Sequence, residues 1–392
     1  PFCVSVCPYC DFVVVAGAAA RGPANRLADF VEALTVELAL RADALDAIFP
    51  DRPPLDTLYL GGGTPSLLGP EPVARIVGLV RSRYGLAPHA EVTLEANPGH
   101  DERGDARGFV EAGVTRISYG VQSLDPAELR RLGRRHAPAE VAEAVAEARA
   151  AGVGSLNLDL LYDLPDAPVE RFAASLEAAL ALAPDHLSCY ALTLEDPDAE
   201  GLTGSSGDHL PVRPGARRWR RTAAAAQDQD RAAACYGLAA DRLAAAGLAR
   251  YELSNWARPG HESRHNLAYW HRQPVAAAGP GAHGFDGRAR WWNGARLEPY
   301  LRALVPSAGS GEPAALPPGG VERLDAATAA AEARILGLRL ETGIDAALAA
   351  EPAARAAIDW ARGEGLVAET GGRIRLTERG RLLSNELFAR LL

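Results

Sequence analysis

Cys3-Val4-Ser5-Val6-Cys7-Pro8-Tyr9-Cys10 stands at the head of the chain, and Thr57-Leu58-Tyr59-Leu60-Gly61-Gly62-Gly63-Thr64-Pro65 follows further along. The first stretch spaces three thiols as Cys-x3-Cys-x2-Cys. The second is a strand-like apolar run that ends in glycines. Working outward, runs 91–96, 116–119, 155–162 and 186–193 read as further strands, and residues 73–80 and 138–150 repeat apolar side chains at helical spacing. An earlier helical face carries Leu27, Phe30, Val31, Leu34 and Leu38. Strand–helix–strand alternation implies parallel strands with helices packed outside. The near-continuous hydrophobicity of residues 156–161 fits a strand covered on both faces. The fold class is α/β: a partial parallel β/α barrel with its chemistry expected at the carboxyl ends of the strands.

The 392 residues are 48% hydrophobic and 23% charged, enough apolar material for a sizeable core. A formal charge of −9 argues against a general nucleic-acid binder, which needs clustered cations. No run approaches the ~20 apolar residues of a membrane span and no signal peptide opens the sequence, so a cytoplasmic protein is expected. Every cation is arginine and methionine is absent, which removes thioethers as metal ligands. The start at Pro1 without methionine is read as a fragment or a miscalled start.

Four segments are expected. Residues 1–198 form the barrel; 199–305 hold a connector, a helix from about Asp230 to Ala245 and an aromatic, histidine-rich stretch; 306–320 form a Pro- and Gly-rich linker; 321–392 form a C-terminal module. In that module, run 366–370, a Gly371-Gly372 turn and run 373–376 read as a hairpin, with Thr377 capping a last helix. Helices with a terminal hairpin resemble a winged helix. The basic run 213–221 breaks the barrel pattern and reads as a solvated connector, or as a docking patch for carboxylates.

Thiolates are natural ligands of iron–sulfur clusters. Three of them on a four-iron cluster leave one iron open, and an open iron can chelate the amino and carboxylate groups of S-adenosylmethionine (SAM). Structural zinc with a distant fourth ligand, or plain core cysteines, are the competing readings of Cys3, Cys7 and Cys10. Tyr9 can lie against an adenine ring. Gly61, Gly62 and Gly63 let backbone approach a ligand at a strand end. Cys189 sits in an apolar run and reads as a small core residue.

Together, Cys3, Tyr9, Cys10 and Gly61-Gly62-Gly63-Thr64-Pro65 resemble the radical SAM superfamily. The likeness to its oxygen-independent coproporphyrinogen III oxidase-like family continues through Thr93-Leu94-Glu95-Ala96-Asn97-Pro98, Arg116-Ile117-Ser118-Tyr119-Gly120-Val121-Gln122-Ser123, Leu132-Gly133-Arg134-Arg135-His136 and Leu156-Asn157-Leu158-Asp159-Leu160-Leu161-Tyr162. It reaches Leu376-Thr377-Glu378-Arg379-Gly380. The resemblance implies a 4Fe–4S cluster on Cys3, Cys7 and Cys10, and SAM contacts from Tyr9, Gly61, Gly62, Gly63, Thr64, Glu95, Gln122, Arg134 and Asp159. Two departures stand out: the strand that the family carries before Pro1 is missing, and Asp163 replaces a usual Gly.

Phe12 stands where the oxidase carries a fourth cysteine, and His265-Asn266-Leu267-Ala268-Tyr269-Trp270 matches the HNxxYW motif of the family's haem chaperone branch. The resemblance thus implies a third cofactor, haem, on His265 between the walls of Tyr269 and Trp270. His261, His271 and His283 are reserve ligands, with Cys189 and Cys235 behind them. The plainer reading makes His265 and Asn266 a packing turn. Expected partners are haem, acceptor haemoproteins with peripheral membrane contact through them, and an electron-donor protein. The alternative functions are oxidative decarboxylation of coproporphyrinogen III and, remotely, structural zinc binding.

Overall fold

The computed structural model describes residues 1–20, 22, 25–194, 214–306 and 313–392. Parts of the expected 199–305 and 306–320 segments, and Arg213 of the basic run, lie outside them. The apolar runs become parallel strands β1 (Leu55–Leu60), β2 (Leu86–Ala96), β3 (Arg116–Gln122), β4 (Ser155–Tyr162) and β5 (His186–Ala191), paired in that order. Helices α1 (Leu27–Ile48), α2 (Pro70–Arg83), α3 (Ala106–Glu111), α4 (Pro126–Arg131), α5 (Pro138–Ala151) and α6 (Val169–Ala181) occupy the stretches around and between them. This is the expected partial parallel β/α barrel. Leu156, Leu158 and Leu160 of β4 are fully buried, as its near-continuous hydrophobicity requires. Cys189 is fully buried in β5, as a core residue should be.

The basic run differs from the connector reading. It lies on α7 (Pro214–Ala225), followed by α8 (Gln229–Ala245). Proline at the first helical position costs no hydrogen bond, so Pro214-Gly215 opens this helix where the sequence suggested a break.

Two compact units result, and they do not follow the serial order of segments. One takes Pro1–Ala239, Ala277–His283 and Trp292–Gly320; the other takes Ala240–Ala276, Gly284–Trp291 and Val321–Leu392. The stretch 199–305 is therefore shared between them. The reason is visible within the first unit. Glu37 on α1 is fully buried, and its carboxylate accepts from Arg41 Nε (2.7 Å), Asn293 Nδ2 (2.7 Å), the Gly279 amide (2.8 Å) and Tyr300 Oη (2.8 Å). Phe30, Val31 and Ala33 of α1 pack with Leu297, Tyr300, Leu301 and Leu304 of helix Leu297–Leu304.

In the second unit, strands Val367–Thr370 and Arg373–Leu376 pair antiparallel, and Ile344–Asp345 adds a third strand. Gly371 and Gly372 have φ of 59° and 73°, the left-handed pair that a two-residue hairpin demands. Thr377 Oγ1 accepts from the Gly380 amide at 3.0 Å and caps helix Glu378–Leu382; the expected last helix is broken before Ser384–Leu391. Helices Ala326–Arg339 and Pro352–Gly363 bury Leu338, Ala357 and Ile358 against the hairpin's Ile374 and Leu376. The resemblance to a winged helix is carried by these elements.

Replacing Glu37 by leucine leaves several buried donors without an acceptor. Such a loss typically costs about 3–5 kcal/mol, whereas Glu32→Ala, which breaks an exposed pair with Arg75, should cost below about 1 kcal/mol. Denaturant titration measures both, and equal midpoints for the two variants would contradict the anchoring role of Glu37.

Candidate functional site

The cysteine loop is held largely from outside. The Cys10 amide donates to the Cys7 carbonyl at 3.2 Å, the Cys3 amide to Val15 at 3.0 Å, and the Thr64 amide to the Phe2 carbonyl at 2.7 Å. A Cβ on Gly63 would lie 2.6 Å from that Phe2 oxygen, so the third glycine of the turn is a requirement of close approach.

A polar chain then links two of the thiols. Cys3 Sγ lies 3.3 Å from Thr64 Oγ1. Asn97 Nδ2 donates to Thr64 Oγ1 and to Glu102 Oε1, each at 3.2 Å. Asn97 Oδ1 accepts from Arg134 Nη2, which also donates to the Gly120 carbonyl at 2.5 Å. Arg134 Nη1 reaches Cys7 Sγ at 3.8 Å. Burial pushes the Cys3 thiol up and the Cys10 thiol up to about 12, so neither is a thiolate unless a cation compensates it. A metal cluster supplies that charge. Among the described residues, no three His, Cys, Asp or Glu side chains converge as ligands of a single ion. Three thiol sulfurs on one loop are a donor set that suits an iron–sulfur cluster.

Beside the loop, the carboxyl ends of β1 to β4 gather the remaining polar residues. Tyr59 Oη donates to Glu95 Oε1 at 2.6 Å and the Gly62 amide to Glu95 Oε2 at 2.9 Å. Burial raises the Glu95 carboxyl to about 7, and the nearby Asp159 charge adds to the effect. Asp159 accepts from Asn157 Nδ2 at 2.7 Å and Ser118 Oγ at 3.2 Å, and burial raises it too. Two half-buried carboxyls held above their ordinary range fit a cationic ligand, which would return both to the charged form. A sulfonium bearing an ammonium group is such a ligand. Gln122 has φ of 68°, just past a register shift between β3 and β4. Bulges and left-handed residues of this kind re-aim side chains at ligand sites.

Tyr9 packs with Leu132, Leu164, Ala167 and Leu192, its ring centroid 6.5 Å from that of Trp219. Phe12 is 65% exposed. Asp163 adopts the left-handed backbone that its usual glycine would favour (φ 55°), and its Oδ1 accepts from Arg231 Nη2 at 2.7 Å and the Asp228 amide at 3.2 Å. Those bonds offset the strain of about 1–2 kcal/mol.

His265 belongs to the second unit. Ser263 Oγ caps its helix, Arg264–Trp270, by accepting from the Asn266 amide at 3.3 Å. His265 Nε2 and Tyr269 Oη are 3.3 Å apart, and the rings meet edge to face at 5.0 Å. Burial lowers the imidazole to about 4, so it is neutral at physiological pH. Trp270 lies under the Arg339 guanidinium, 4.5 Å from its ring centroid.

Cys3, Cys7, Cys10, Tyr9, Gly61, Gly62, Gly63, Thr64, Glu95, Gln122, Arg134 and Asp159 thus all fall in the first unit and His265 in the second. Tyr59 and Asn97 went unassigned, although both stand inside quoted motifs. Arg220 was hidden in the basic run.

A family model described as the radical SAM superfamily matches residues 1–176, and one described as the HemN C-terminal domain matches residues 324–383. The haem chaperone HemW of Mycobacterium tuberculosis is 41% identical over 393 residues, covering 100% of this chain and 93% of that protein. The haem chaperone HemW of Escherichia coli is 38% identical over 284 residues, covering 72% and 68%. Among solved structures, coproporphyrinogen III oxidase (HemN) from Escherichia coli superposes with a TM-score of 0.80 at 20% identity, covering 100% of this chain and 88% of that one, which speaks for the fold. This chain belongs to the HemW haem chaperone family, within the radical SAM superfamily.

Proposed function

We propose that this chain carries a 4Fe–4S cluster on Cys3, Cys7 and Cys10, binds SAM beside it, takes haem on His265 and delivers that haem to acceptor haemoproteins. The observation that carries the reading is the coexistence, in one chain, of a three-thiol loop followed by the exposed Phe12 and a neutral, half-buried His265 beside Tyr269. The likeness to haem chaperones over the whole chain supports it.

Cluster and SAM, when bound, supply one-electron chemistry that no side chain offers. The protein's share is binding and orientation. Arg134 steadies the Cys7 sulfur with a charge-assisted contact. Gly62 and Tyr59 aim the Glu95 carboxylate, while Ser118 and Asn157 aim that of Asp159; these two would hold the cationic part of SAM. Gly61, Gly63 and Thr64 offer backbone and hydroxyl contacts, and Gln122 an amide. Tyr9 gives an aromatic surface for the adenine. In the second unit, burial keeps the His265 imidazole unprotonated, the form that would ligate iron. A reducing cytoplasm would keep these three part-buried thiols from pairing as disulfides, and an electron-donor protein supplies the reductant.

Three outcomes test the reading. Oxygen-free reconstitution should give about four irons per chain with charge-transfer absorbance, and Cys7→Ala should lose nearly all of it; zinc with no iron-dependent spectrum in the wild type would remove the cluster. Haem titration should give a Soret shift whose affinity is level from about pH 8 to about pH 5 and falls near pH 4, as the imidazole takes its proton. His265→Ala should weaken that binding about tenfold or more, and an unchanged curve would move the ligand role elsewhere. Coproporphyrinogen III with SAM and reductant should yield no vinyl product; its appearance would favour the oxidase.

A further inference from the structure

The arginine-rich face of α7 sends one residue inward. Arg220 is 2% exposed. Its Nε donates to the Pro8 carbonyl at 3.0 Å and its Nη2 to the Cys10 carbonyl at 2.9 Å, with Asp11 Oδ1 2.5 Å from the same nitrogen. The preceding Trp219 lies against Tyr9. One planar cation thus grips the loop backbone on either side of Tyr9, between the second cysteine and the residue after the third.

An ammonium is a point charge on a flexible stem and cannot span two carbonyls as a rigid fork does. Removing the guanidinium would leave two part-buried carbonyls without their donor and the Asp11 carboxylate without its cation. We propose that Arg220 is a positioning residue for the cluster: it fixes the backbone around Cys10 in liganding shape and sets a permanent positive charge beside the metal. The proposal rests on the reading of Cys3, Cys7 and Cys10 as cluster ligands. A nearby cation favours the reduced, more negative cluster and so raises its reduction potential, while the Asp11 carboxylate acts in the opposite sense.

The test uses full-length wild type, Arg220→Met, Arg220→Lys and Asp11→Asn, each reconstituted with iron and sulfide without oxygen. Iron loss to a chelator and the cluster's midpoint potential are measured. Arg220→Met should lose iron about tenfold faster, with a more negative potential. Arg220→Lys should also lose iron faster, yet keep most of the wild-type potential because the charge is retained. Asp11→Asn should move the potential the other way. A role in folding alone would not produce shifts of opposite sign. Wild-type iron loss and potential in Arg220→Met, or shifts of one sign in Arg220→Met and Asp11→Asn, would overturn the role of Arg220. Should Arg220→Met assemble no cluster, the lysine and asparagine variants decide by the same two readouts. A wild type that assembles no cluster defeats the cluster reading and this inference with it, whereas a wild-type cluster with unaltered variants defeats the inference alone.

Discussion

Three thiols on a loop of eight residues could ligate one cluster only if groups outside the loop keep them at fixed separations. Here two guanidiniums, the half-buried one of Arg134 and the buried one of Arg220, hold the loop. Arg134 ties the Cys7 sulfur to Asn97 and the Gly120 carbonyl, and Arg220 holds the Pro8 and Cys10 carbonyls. Burying a cation is costly unless anions and acceptors surround it. Thiolates ligating a cluster are such anions, and without them the Cys3 and Cys10 thiols are held protonated by burial.

Charge then divides the site. The loop side carries the guanidiniums of Arg134 and Arg220; the strand-end side carries the carboxyls of Glu95 and Asp159, each raised by burial, each hydrogen-bonded into a fixed direction, and each returned to its charged form by a cationic ligand. An electron-rich cluster and a sulfonium nucleotide would meet surroundings of the opposite sign on the side where each is bound. The parallel sheet makes this arrangement possible, because β1 to β4 all finish at one end and bring turns and side chains from distant parts of the sequence together.

Much of this was legible in the sequence, for identifiable reasons. Strand β4 matched its reading residue for residue, since a short leucine-rich run of eight residues between helical stretches has few other uses. The Gly371-Gly372 turn announced its hairpin through backbone conformation. The three cysteines and the glycine turn stood out because their spacing serves a ligand better than a core. Helix α7 was missed because proline, glycine and five arginines in nine residues look like solvated connector, and the carbonyls that bury Arg220 belong to a loop two hundred residues away. Glu37 was passed over on the same ground: a carboxylate in a helix reads as surface until Asn293 and Tyr300 are seen to reach it. Local composition reports propensity, and tertiary partners decided these cases.

The most direct measurement is Mössbauer spectroscopy of the reconstituted, iron-57-labelled chain before and after SAM is added. Ligation by three thiolates requires one iron of the four to be distinct, and that iron alone should change when SAM binds. Four equivalent irons that ignore SAM, or no cluster signal from protein prepared without oxygen, would contradict it.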